Sequence, residues 1–539
     1  MDKSIFSFFS GSHDANLSIC LNGNTLFTLE LERIFGNRYF PMNRLLPFDD
    51  QNDETLRETK KRYHNFCVYL QRILEEEGVF RSHFDVGLFE WWCEPEFVDF
   101  VGEFFDIKEI HFRDDLTHHH RSHAAGAFYS SGFDEALVFS YDGSGNDGTF
   151  CVFDLNKREP NFKQINDYES VPYPTKYAIL SYLNSEIKKQ YGDLASDLGG
   201  AGKIMGLSSY GSFNEDFFNR VMAYFRSKGD GIDSVFLENF KEFNYNEFEG
   251  KDSYDFAFNV QLAFETCFLE RFHEFFDEKK HKNVCLTGGA ALNVILNEKL
   301  TKTYPNTNFF VPSSPGDSGL SYGMIAGYLK SGVVPEVMYA GCPVLDKGSL
   351  PYILDHRPWK KAAPELIARE LEKGKIIGVC RGDSETGPRA LGNRSILADP
   401  RSHKAKDAIN RKVKFREWFR PFAPICKEDK ASIFFETSDN ACYKYMSFSP
   451  PVREKYKNIL PAVTHDDGSA RLQTISKKDN EFIYNILDEF EKITNIPVLV
   501  NTSFNSRGKS ILTRYLTAIQ ILDSTELDAV VLEDYYIYK

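Results

Sequence analysis

The sequence predicts an α/β protein, because short apolar runs with the character of buried strands alternate with longer segments of helical periodicity. Ser4–Phe9, ALVFSY at 136–141 and VCLTGG at 284–289 are the clearest strands. The segment FNVQLAFETCFLERFHEFF at 258–276 has apolar residues at helical spacing and is predicted to be a core helix. A polar or glycine-rich loop follows each strand, and glycine-rich loops let backbone N–H groups approach a phosphate.

Composition restricts the class of protein further. The 539 residues allow two to four domains, and 48 phenylalanines among 42% hydrophobic residues are enough for large cores. A formal net charge of −14 disfavours a broad nucleic-acid-binding surface. Ten cysteines without any CxxC pair predict neither a zinc ribbon nor a disulfide framework.

The distribution of apolar residues argues against targeting and membrane segments. The N-terminal MDKSIFSFFSGSHD is predicted to be a first strand rather than a signal peptide, because His13 and Asp14 follow the apolar stretch at once. No apolar run reaches the roughly 18 residues that a transmembrane helix needs. We therefore expect a soluble cytoplasmic protein with neither a membrane nor a nucleic acid as partner.

The first strand leads into a polar loop and a hairpin. The loop GSHDANLS carries Ser12, His13 and Asp14, and Asn22-Gly23-Asn24 between two strand-like runs is a strong hairpin signal. This arrangement predicts a phosphate loop, although any β-protein can begin in the same way. Residues 51–80 follow as a charged helical segment.

The segment HHHRSHAAGAFYSSGFDEALVFSYDGSG, which begins at His118, is the strongest candidate for a metal site. His119 and His123 project from one face if the alanine-rich stretch is helical, and the following strand delivers Asp142 into the loop DGSGNDG. Two imidazoles and a carboxylate suit iron, manganese or zinc. A polar surface is the alternative. His118 and His120 would point away from the shared face and are expected to be spectators.

Two further glycine-rich segments lie in the first half of the chain. Residues 173–191 are predicted to be helical, and LGGAGKIMGLSSYG at 198–211 is either a flexible connection between helices or a nucleotide contact made by Lys203. Gly288-Gly289 end a strand, and a helix is predicted to start near Ala290, which together would bind an anion through backbone N–H groups. The paired glycines alternatively allow tight packing.

Residues that flank the paired glycines favour the binding interpretation. Thr287 precedes them and Asn293 follows them, and both offer neutral hydrogen bonds. Further along, Asp317 lies in a loop rich in glycine, serine and proline, before a helix of small residues. Asp317 is a candidate fourth metal ligand or a base beside the metal.

The second half concentrates arginines in loops that are distant in sequence. A boundary is predicted at 340–362, where the chain is irregular and contains proline. In an acidic protein, so many arginines among glycine and apolar residues indicate oxyanion binding by guanidinium groups, with solvated surface arginines as the alternative. The basic residues are Arg381, Arg389, Arg394, Arg401, Lys414, Arg416, Arg420 and Arg471.

Six segments together resemble the ATP-dependent O-carbamoyltransferases, the family that includes the nodulation-factor, cephamycin and tobramycin carbamoyltransferases. The block GPRALGNRS is the most specific of the matches, and the resemblance covers nearly the whole chain. The segments are HHHRSHAA at 118–125, AGKIMGLSSYG at 201–211, ETGPRALGNRSILADPR at 385–401, REWFRPFAPI at 416–425, HDDGSARLQT at 465–474 and VLVNTSFN at 498–505.

The resemblance implies two domains. Residues 1–345 would form a two-lobed Kae1-like domain of the actin/Hsp70/sugar-kinase superfold, with nucleotide in the cleft between the lobes. Residues 360–539 would form an α/β YrdC-like domain. By the family pattern, the second domain joins carbamoyl phosphate and ATP into carbamoyl-adenylate, and the first transfers the carbamoyl group to an acceptor hydroxyl.

The resemblance also assigns roles to residues. His13 would be the general base, and a divalent metal would be held by His119, His123, Asp142 and Asp317. Fe²⁺ is favoured, with Mn²⁺ or Zn²⁺ as alternatives, and Mg²⁺ would accompany ATP. Nucleotide would contact Ser12, Gly143, Ser144, Gly145, Lys203, Gly288, Gly289 and Asn293. Carbamoyl phosphate would contact Arg389, Lys414, Arg416, Arg420, Arg471, Asn501, Ser503 and Asn505.

This sequence departs from the family pattern in two places. The family usually has an acidic GEP-like segment shortly after NTSFN, where this chain has Lys509, and Ser208-Ser209 replaces the usual Ala-Pro. A threonylcarbamoyl-type enzyme acting on transfer RNA, a hydrogenase-maturation carbamoylase and a non-catalytic nucleotide-binding protein are the competing interpretations. The acceptor would be a hydroxyl of a small molecule or glycan, and a homodimer is left open.

Overall fold

The computed structural model describes residues 3–23, 25–40, 53–189, 197–229, 231–240, 248–330 and 337–539. The predicted α/β class is confirmed, because helices surround three β-sheets of five, five and eight strands. None of the helices in these ranges is long and apolar enough to cross a membrane.

The first two sheets have the same topology. In each, the first three strands form an antiparallel meander, and the fourth and fifth strands add in parallel to the other side of the first strand. The first sheet comprises β1 (Ser4–Phe9), β2 (Asn16–Leu21), β3 (Thr25–Glu30), β4 (Phe84–Phe89) and β5 (Ile107–Phe112). The second comprises β6 (Glu135–Tyr141), β7 (Phe150–Asn156), β8 (Glu159–Gln164), β9 (Asn283–Thr287) and β10 (Asn308–Phe310).

The third sheet is mixed and has the order β11-β18-β17-β12-β13-β16-β14-β15. Side chains of its strands alternate between two cores: in β16, Leu499 packs with the helices at Pro364–Glu372 and Glu481–Thr494, whereas Val498 and Val500 join the largest core of the protein. Its strands are β11 (Trp359–Lys361), β12 (Ile377–Cys380), β13 (Arg394–Ala398), β14 (Ala423–Lys427), β15 (Gln473–Ile475), β16 (Val498–Ser503), β17 (Ala529–Leu532) and β18 (Tyr535–Tyr538).

Nineteen α-helices are described, together with short 3₁₀ turns and one π-helix at Ile409–Lys414. Those of the first half are α1 (Leu31–Phe35), α2 (Asp53–Glu76), α3 (Pro95–Phe104), α4 (His119–Ser131), α5 (Tyr173–Leu180), α6 (Ser185–Lys189), α7 (Asp197–Ser208), α8 (Glu215–Arg226), α9 (Ser234–Phe240), α10 (Lys251–Phe275), α11 (Val294–Thr303) and α12 (Leu320–Leu329). The others are α13 (Leu350–His356), α14 (Pro364–Glu372), α15 (His403–Ala408), α16 (Ala431–Phe434), α17 (Glu454–Lys457), α18 (Glu481–Thr494) and α19 (Tyr515–Ser524).

Helices α4 and α12 exchange sheets. Helix α4 follows the first sheet in the chain but packs on β6 and β9 of the second, and α12 follows the second sheet but packs on β1 and β2 of the first. The two helices cross closely, because a Cβ on Gly323 would lie 2.1 Å from the Ser122 carbonyl oxygen. This exchange places the N-terminus of α4 between the sheets.

Several expectations about local structure are wrong. The glycine-rich segment at 198–211 is largely helix α7, and its glycines provide close contacts: a Cβ on Gly200 would collide with the Ser181 hydroxyl. The helix expected near Ala290 begins at Val294, because Asn293 caps it and a 3₁₀ turn precedes it. The helix expected over 173–191 is divided by a 3₁₀ turn at Ser181–Leu183, and residues 190–196 lie outside the described ranges.

Other expectations are confirmed or refined. Strand β1, the antiparallel β2–β3 hairpin and the core helix α10 form where expected, although Asn24 of the hairpin turn lies outside the described residues. The boundary expected to be irregular at 340–362 contains α13 and the edge strand β11. The largest buried core crosses this boundary, since it contains Phe139 of β6 and Ile396 of β13.

An interlock buried at the boundary ties the first hairpin to the GPRALG loop. Arg33, 2% exposed, donates to the Ser384 hydroxyl and to the carbonyl oxygens of Glu385 and Gly387. Glu30 lies 3.1 Å from the Arg33 guanidinium and accepts from the Gly387 N–H at 2.7 Å. The loop that carries Arg389 is therefore held by residues of the first sheet.

Candidate functional site

Four side chains named from the sequence converge at the N-terminus of α4. One ligand atom of each of His119, His123, Asp142 and Asp317 lies within 4.8 Å of all the others. His123 Nε2 is 3.2 Å from Asp142 Oδ2 and 3.4 Å from Asp317 Oδ1. His119 Nε2 is 3.5 Å from the same Asp317 oxygen and 3.2 Å from His123 Nε2.

The fold explains this convergence. His119 and His123 are one helical turn apart on α4, so both imidazoles lie on one face. Because α4 packs on the second sheet, its first turn meets the end of β6, where Asp142 follows the strand. Asp317 begins the turn before α12, and its carbonyl oxygen accepts from Asn16 Nδ2 at 2.9 Å, which ties it to the first sheet.

The donor set fits a divalent cation. Both imidazoles and Asp317 are buried, and Asp142 is 14% exposed in its side chain. Burial alone would lower the pKa of His119, but the carboxylates of Asp317, Asp142 and Glu90 outweigh it and raise the pKa to about 10. Such an excess of buried negative charge is what a bound cation offsets, and two imidazoles with two carboxylates suit a transition metal.

The glycine-rich loop after Asp142 is held by α4. The backbone N–H groups of His119 and His120 donate to the side chains of Asn146 at 2.9 Å and Asp147 at 3.3 Å, so a distant loop caps the helix. His120 also contacts the Ser140 hydroxyl through Nδ1 at 2.8 Å and the Gly148 carbonyl through Nε2 at 3.0 Å. It lies outside the four-residue cluster, as expected, but it positions the loop rather than being a spectator.

Within this loop, Gly143, Ser144 and Gly145 are the residues expected to contact nucleotide. Ser144 is exposed. The Gly143 N–H donates to Asp142 Oδ1 at 2.6 Å. A Cβ on Gly145 would lie 2.7 Å from the His120 ring, so the loop needs glycine there to approach the helix.

The paired glycines already use both backbone N–H groups inside the chain. Gly288 donates to the Pro315 carbonyl at 2.8 Å, and Gly289 donates to Asp142 Oδ2 at 2.7 Å. Gly288 has a φ of +84°, and a Cβ there would lie 2.2 Å from the Tyr141 carbonyl oxygen, so tight packing requires a glycine. Asn293 caps α11 through the Leu296 N–H.

His13 lies at the edge of the metal cluster, beside the exposed Ser12. Its Nδ1 is 3.1 Å from Asp14 Oδ2 and 3.6 Å from Asp317 Oδ2. Burial lowers the pKa of His13, but the carboxylates of Asp14, Asp317 and Asp142 together raise it to about 9. His13 therefore holds a proton at neutral pH unless the neighbouring negative charge is offset.

A second cluster consists of cations. Burial lowers the pKa of Lys414 far below its usual value, and the positive charges of Arg416, Arg420 and Arg38 lower it further. Burial and the neighbouring Arg420 likewise lower the pKa of Arg389 to about 10. These groups lower one another's pKa because they lie in one region that has too little negative charge to balance them.

The hydrogen bonds show the same shortage of negative charge around these cations. Arg471 has a buried Nε without a partner, and within the described ranges neither Arg389, Lys414 nor Arg471 lies within 4 Å of a carboxylate oxygen. Arg420 lies 3.6 Å from Glu417 Oε2. A cluster of unneutralised cations is the environment that binds a small polyanion.

Strand β16 places neutral groups beside these cations. Lys414 Nζ donates to the Ser503 carbonyl at 2.6 Å and to the side-chain oxygen of Asn505. Ser503 Oγ lies 2.9 Å from Asn505 Oδ1. Asn501 donates to Gln473 Oε1 at 2.7 Å, and its own buried Oδ1 has no partner. Arg416 bonds to Asn410 Oδ1 at 2.7 Å and lies over the ring of Phe422.

Three arginines of the same segment do not join the cluster, which corrects the expectation drawn from their density. Arg394 is completely buried and donates to the carbonyl oxygens of Arg381 and Gly382. Arg401 pairs with Asp399 at 2.6 Å, and Arg381 pairs with Asp534 at 2.9 Å. These arginines stabilise loops.

The two clusters adjoin at Arg38, which the sequence did not single out: Tyr39 and then the carboxylates of Glu32, Asp14 and Glu417 raise the pKa of Arg38, and Asp14 is the partner of His13. Lys203 of α7 pairs with Glu417 at 2.8 Å, directly beside the cation cluster. Arg38, from the loop after α1, is close enough to lower the pKa of Arg389, Lys414 and Arg420. No spacing in the chain relates Arg38 to residues more than 350 positions away, so only the tertiary contact reveals it.

Two family models match the chain. The model for the carbamoyltransferase N-terminus covers residues 48–325, and the model for the carbamoyltransferase C-terminus covers residues 368–539. The chain belongs to the carbamoyltransferase family. All four residues of the metal cluster lie in the N-terminal match of this carbamoyltransferase, and Arg389, Lys414, Arg416, Arg420 and Arg471 lie in the C-terminal match.

Relatives of this carbamoyltransferase include two nodulation proteins. NolO of Bradyrhizobium diazoefficiens is 32% identical over 453 residues, which cover 78% of each chain. NolNO of Sinorhizobium fredii is 32% identical over 445 residues, which cover 78% of this chain and 63% of the relative. An uncharacterized protein of Methanocaldococcus jannaschii is 29% identical over 474 residues, covering 80% of this chain and 75% of the relative.

Among solved structures, full-length HypF in its phosphate- and nucleotide-bound form is 14% identical, with a TM-score of 0.34. The match covers 61% of this carbamoyltransferase and 46% of HypF. HypF of T. kodakarensis is 15% identical with a TM-score of 0.31, and the match covers 61% and 48% of the two chains. The carbamoyltransferase therefore spans about half the length of these structures.

Proposed function

We propose that this carbamoyltransferase is an ATP-dependent O-carbamoyltransferase that works in two half-reactions. In the first, carbamoyl phosphate, ATP and water give carbamoyl-adenylate, pyrophosphate and phosphate. In the second, the carbonyl carbon of the adenylate is attacked by an acceptor hydroxyl, the bond to the AMP oxygen breaks, and the hydroxyl proton is released. The two adjoining clusters of opposite charge support this division.

The cation cluster carries the proposal. Carbamoyl phosphate is a small dianion, and ATP adds further negative charge, so Arg389, Lys414, Arg420 and Arg471 would bind and orient both phosphates. Arg416 would complete the set, while Asn501, Ser503 and Asn505 would bond the neutral carbamoyl group. Lys203 lies next to Glu417 and would reach nucleotide after releasing this partner.

The metal cluster would serve the second half-reaction. A cation held by His119, His123, Asp142 and Asp317 would supply Lewis-acid charge to offset the negative charge of the leaving phosphate. Fe²⁺, Mn²⁺ and Zn²⁺ suit the ligands, and Mg²⁺ would enter with ATP. His13 would accept the acceptor's proton, and it can do so only when the carboxylate charge beside it is offset.

The proposed domains follow the same division. The repeated strand order of the first two sheets supports a two-lobed Kae1-like domain at 1–345, of the actin/Hsp70/sugar-kinase superfold. Residues 360–539, which contain the eight-stranded sheet, would be the YrdC-like domain. Ser12, Gly143, Ser144, Gly145, Gly288, Gly289 and Asn293 would contact nucleotide in the first domain, with Gly288 and Gly289 contributing close approach rather than their N–H groups, which already have partners.

A cavity beside the metal cluster bears on the acceptor. It has a volume of about 260 Å³ and is bounded by His123 together with the aromatic rings of Tyr129, Tyr322 and Tyr445. Its other polar lining groups include the hydroxyls of Ser130, Thr287, Ser313 and Ser314. Aromatic rings and hydroxyls without carboxylates support an uncharged acceptor, such as a sugar hydroxyl.

The decisive test is pyrophosphate release that depends on carbamoyl phosphate. Wild-type protein with ATP, Mg²⁺ and carbamoyl phosphate should release pyrophosphate and form carbamoyl-adenylate, which mass spectrometry detects. Arg389→Ala and Lys414→Met should abolish both products, whereas Arg357→Ala, which removes an exposed arginine paired with Asp523, should retain them. Pyrophosphate release that survives in both cluster variants would refute the assignment, and release only with bicarbonate and threonine would indicate a different donor.

A further inference from the structure

Glu90 is a completely buried carboxylate next to the metal cluster. It follows β4 directly and is 0% exposed. Its backbone N–H donates to the Phe8 carbonyl at 3.1 Å, and its Oε2 accepts from the Trp92 N–H at 2.8 Å, so the side chain is fixed at the end of the first sheet. A buried carboxylate destabilises the fold unless a hydrogen-bond donor or an opposite charge compensates it.

The other oxygen of Glu90 faces a metal ligand. Among the residues that the structure describes, neither Oε1 nor the buried Nδ1 of His119 has a hydrogen-bond partner. These two atoms are 3.7 Å apart. A single N–H···O bond between them would satisfy both, and it requires a movement of less than about 1 Å to reach hydrogen-bonding distance.

The two nitrogens of His119 therefore face different partners. Nε2 faces Asp317 and His123 inside the metal cluster, and Nδ1 faces Glu90 outside it. The rings of Phe9 and Trp92 flank the imidazole, with centroids 6.3 and 5.9 Å away. This packing keeps the ring in the orientation that divides its nitrogens between the cluster and Glu90.

We propose that Glu90 is a positioning residue of the metal centre, which accepts the Nδ1–H of His119 and so leaves Nε2 free of a proton to bind the cation. The proposal rests on the metal centre described under the proposed function. A carboxylate in this position orients the imidazole and increases its basicity as a ligand. With neutral imidazoles, Glu90 also adds a third negative charge to those of Asp142 and Asp317.

Residues elsewhere show that this arrangement is specific to His119. His120, the next residue on α4, already uses both ring nitrogens in hydrogen bonds to Ser140 and Gly148, although the Asp147 carboxylate lies within 4.8 Å of one of them. Glu298 is also buried, at 4% exposure, but it lies in α11 near the Tyr443 hydroxyl, 3.4 Å away. Glu298 is therefore a matched control for the loss of a buried carboxylate.

The test measures metal binding directly. Co²⁺ or Zn²⁺ is titrated into chelator-treated full-length protein in competition with an indicator dye, and the visible spectrum of the Co²⁺ complex reports the ligand field. We expect Glu90→Leu to weaken binding about 10–100-fold and to alter the Co²⁺ spectrum. Glu90→Gln keeps the shape and an accepting oxygen, so it should lie between Glu90→Leu and wild type. Glu298→Gln should bind as tightly as wild type with an unchanged spectrum.

The outcomes distinguish a failure of the metal centre from a failure of the role of Glu90. If wild type and His123→Ala both fail to bind Co²⁺, the metal centre itself is refuted. If wild type binds and His123→Ala does not, but both Glu90 variants bind with wild-type affinity and spectrum, the metal centre stands and the role of Glu90 is refuted. Equal weakening in Glu90→Gln and Glu298→Gln would also refute it, because the effect would then follow from any lost buried carboxylate.

Discussion

The two clusters differ in the sign of the charge that they leave uncompensated. At the metal cluster, Asp142, Asp317 and Glu90 surround two imidazoles, and their carboxylates raise the pKa of His119 despite its burial. At the cation cluster, burial and neighbouring arginines lower the pKa of Lys414. One region therefore suits a cation and the other an anion, although both are built from buried side chains. The sign of the uncompensated charge is therefore what distinguishes the ligands expected in the two regions.

The largest expected effect breaks the metal cluster. His123→Ala removes a ligand whose Nε2 is 3.2 Å from Asp142 and 3.4 Å from Asp317. Loss of a direct ligand should weaken metal binding by more than the roughly 100-fold typical for residues behind the ligands. Metal content after dialysis measures this, with His118→Ala as the control, because His118 lies outside the cluster. A His123→Ala protein that retains its metal would contradict the ligand set.

The second prediction concerns the interlock of Arg33 and Glu30 with the GPRALG loop, which carries Arg389 of the cation cluster. Arg33→Ala removes a buried guanidinium that donates to Glu30, to the Ser384 hydroxyl and to two carbonyl oxygens; burial already raises the pKa of Glu30 to about 8, and the loss of this buried network should cost about 3–5 kcal/mol. Arg72→Ala, in an exposed pair with Glu76, should cost about 0–1 kcal/mol. Thermal midpoints of the two variants should therefore differ by several degrees, and equal midpoints would show that the interlock is not stabilising.

The third prediction follows from the proton on His13. The pKa of His13 in the metal-free fold is raised to about 9 from an ordinary 6.5, so the fold favours the protonated form. Its stabilisation is full below pH 6.5 and is lost as the pH rises through 9. The thermal midpoint of chelator-treated wild type should exceed that of His13→Gln at pH 6, and the difference should shrink towards pH 10. A constant difference would mean that folding does not raise the pKa of His13.

The smallest effect is expected at Lys509, where the family is usually acidic. The side chain is exposed, and the hydrogen bonds described for this residue use its backbone: the carbonyl accepts from Asn505 Nδ2 at 2.7 Å, and the N–H donates to the Ser506 carbonyl at 3.2 Å. Lys509→Glu should therefore change carbamoyl-phosphate-dependent pyrophosphate release by no more than the factor of about two that corresponds to 0.5 kcal/mol. A much larger change would mean that this ammonium group belongs to the cation cluster.

The sequence correctly predicted features whose geometry depends only on residues close together in the chain. The spacing of His119 and His123 places both on one face of α4 in any packing environment, and a strand followed by Asp142 places the carboxylate at a sheet end. It failed where propensity and packing conflict. A flexible connection is one of two interpretations of the glycines at 198–211, but α7 forms there, and Gly200 allows its close contact with Ser181.

By itself, the sequence determined the strands, the helical pair of histidines and the motifs of the carbamoyltransferase family, because these depend on neighbours in the chain. Tertiary structure decided which charges meet. Helices α4 and α12 pack on each other's sheets and bring Asp317 to His119, and other tertiary contacts bring Glu90 to His119 and Arg38 to Lys414. Burial makes these contacts important, because an unpaired ion that is removed from water has a large desolvation free energy. A ligand of opposite charge offsets that free energy.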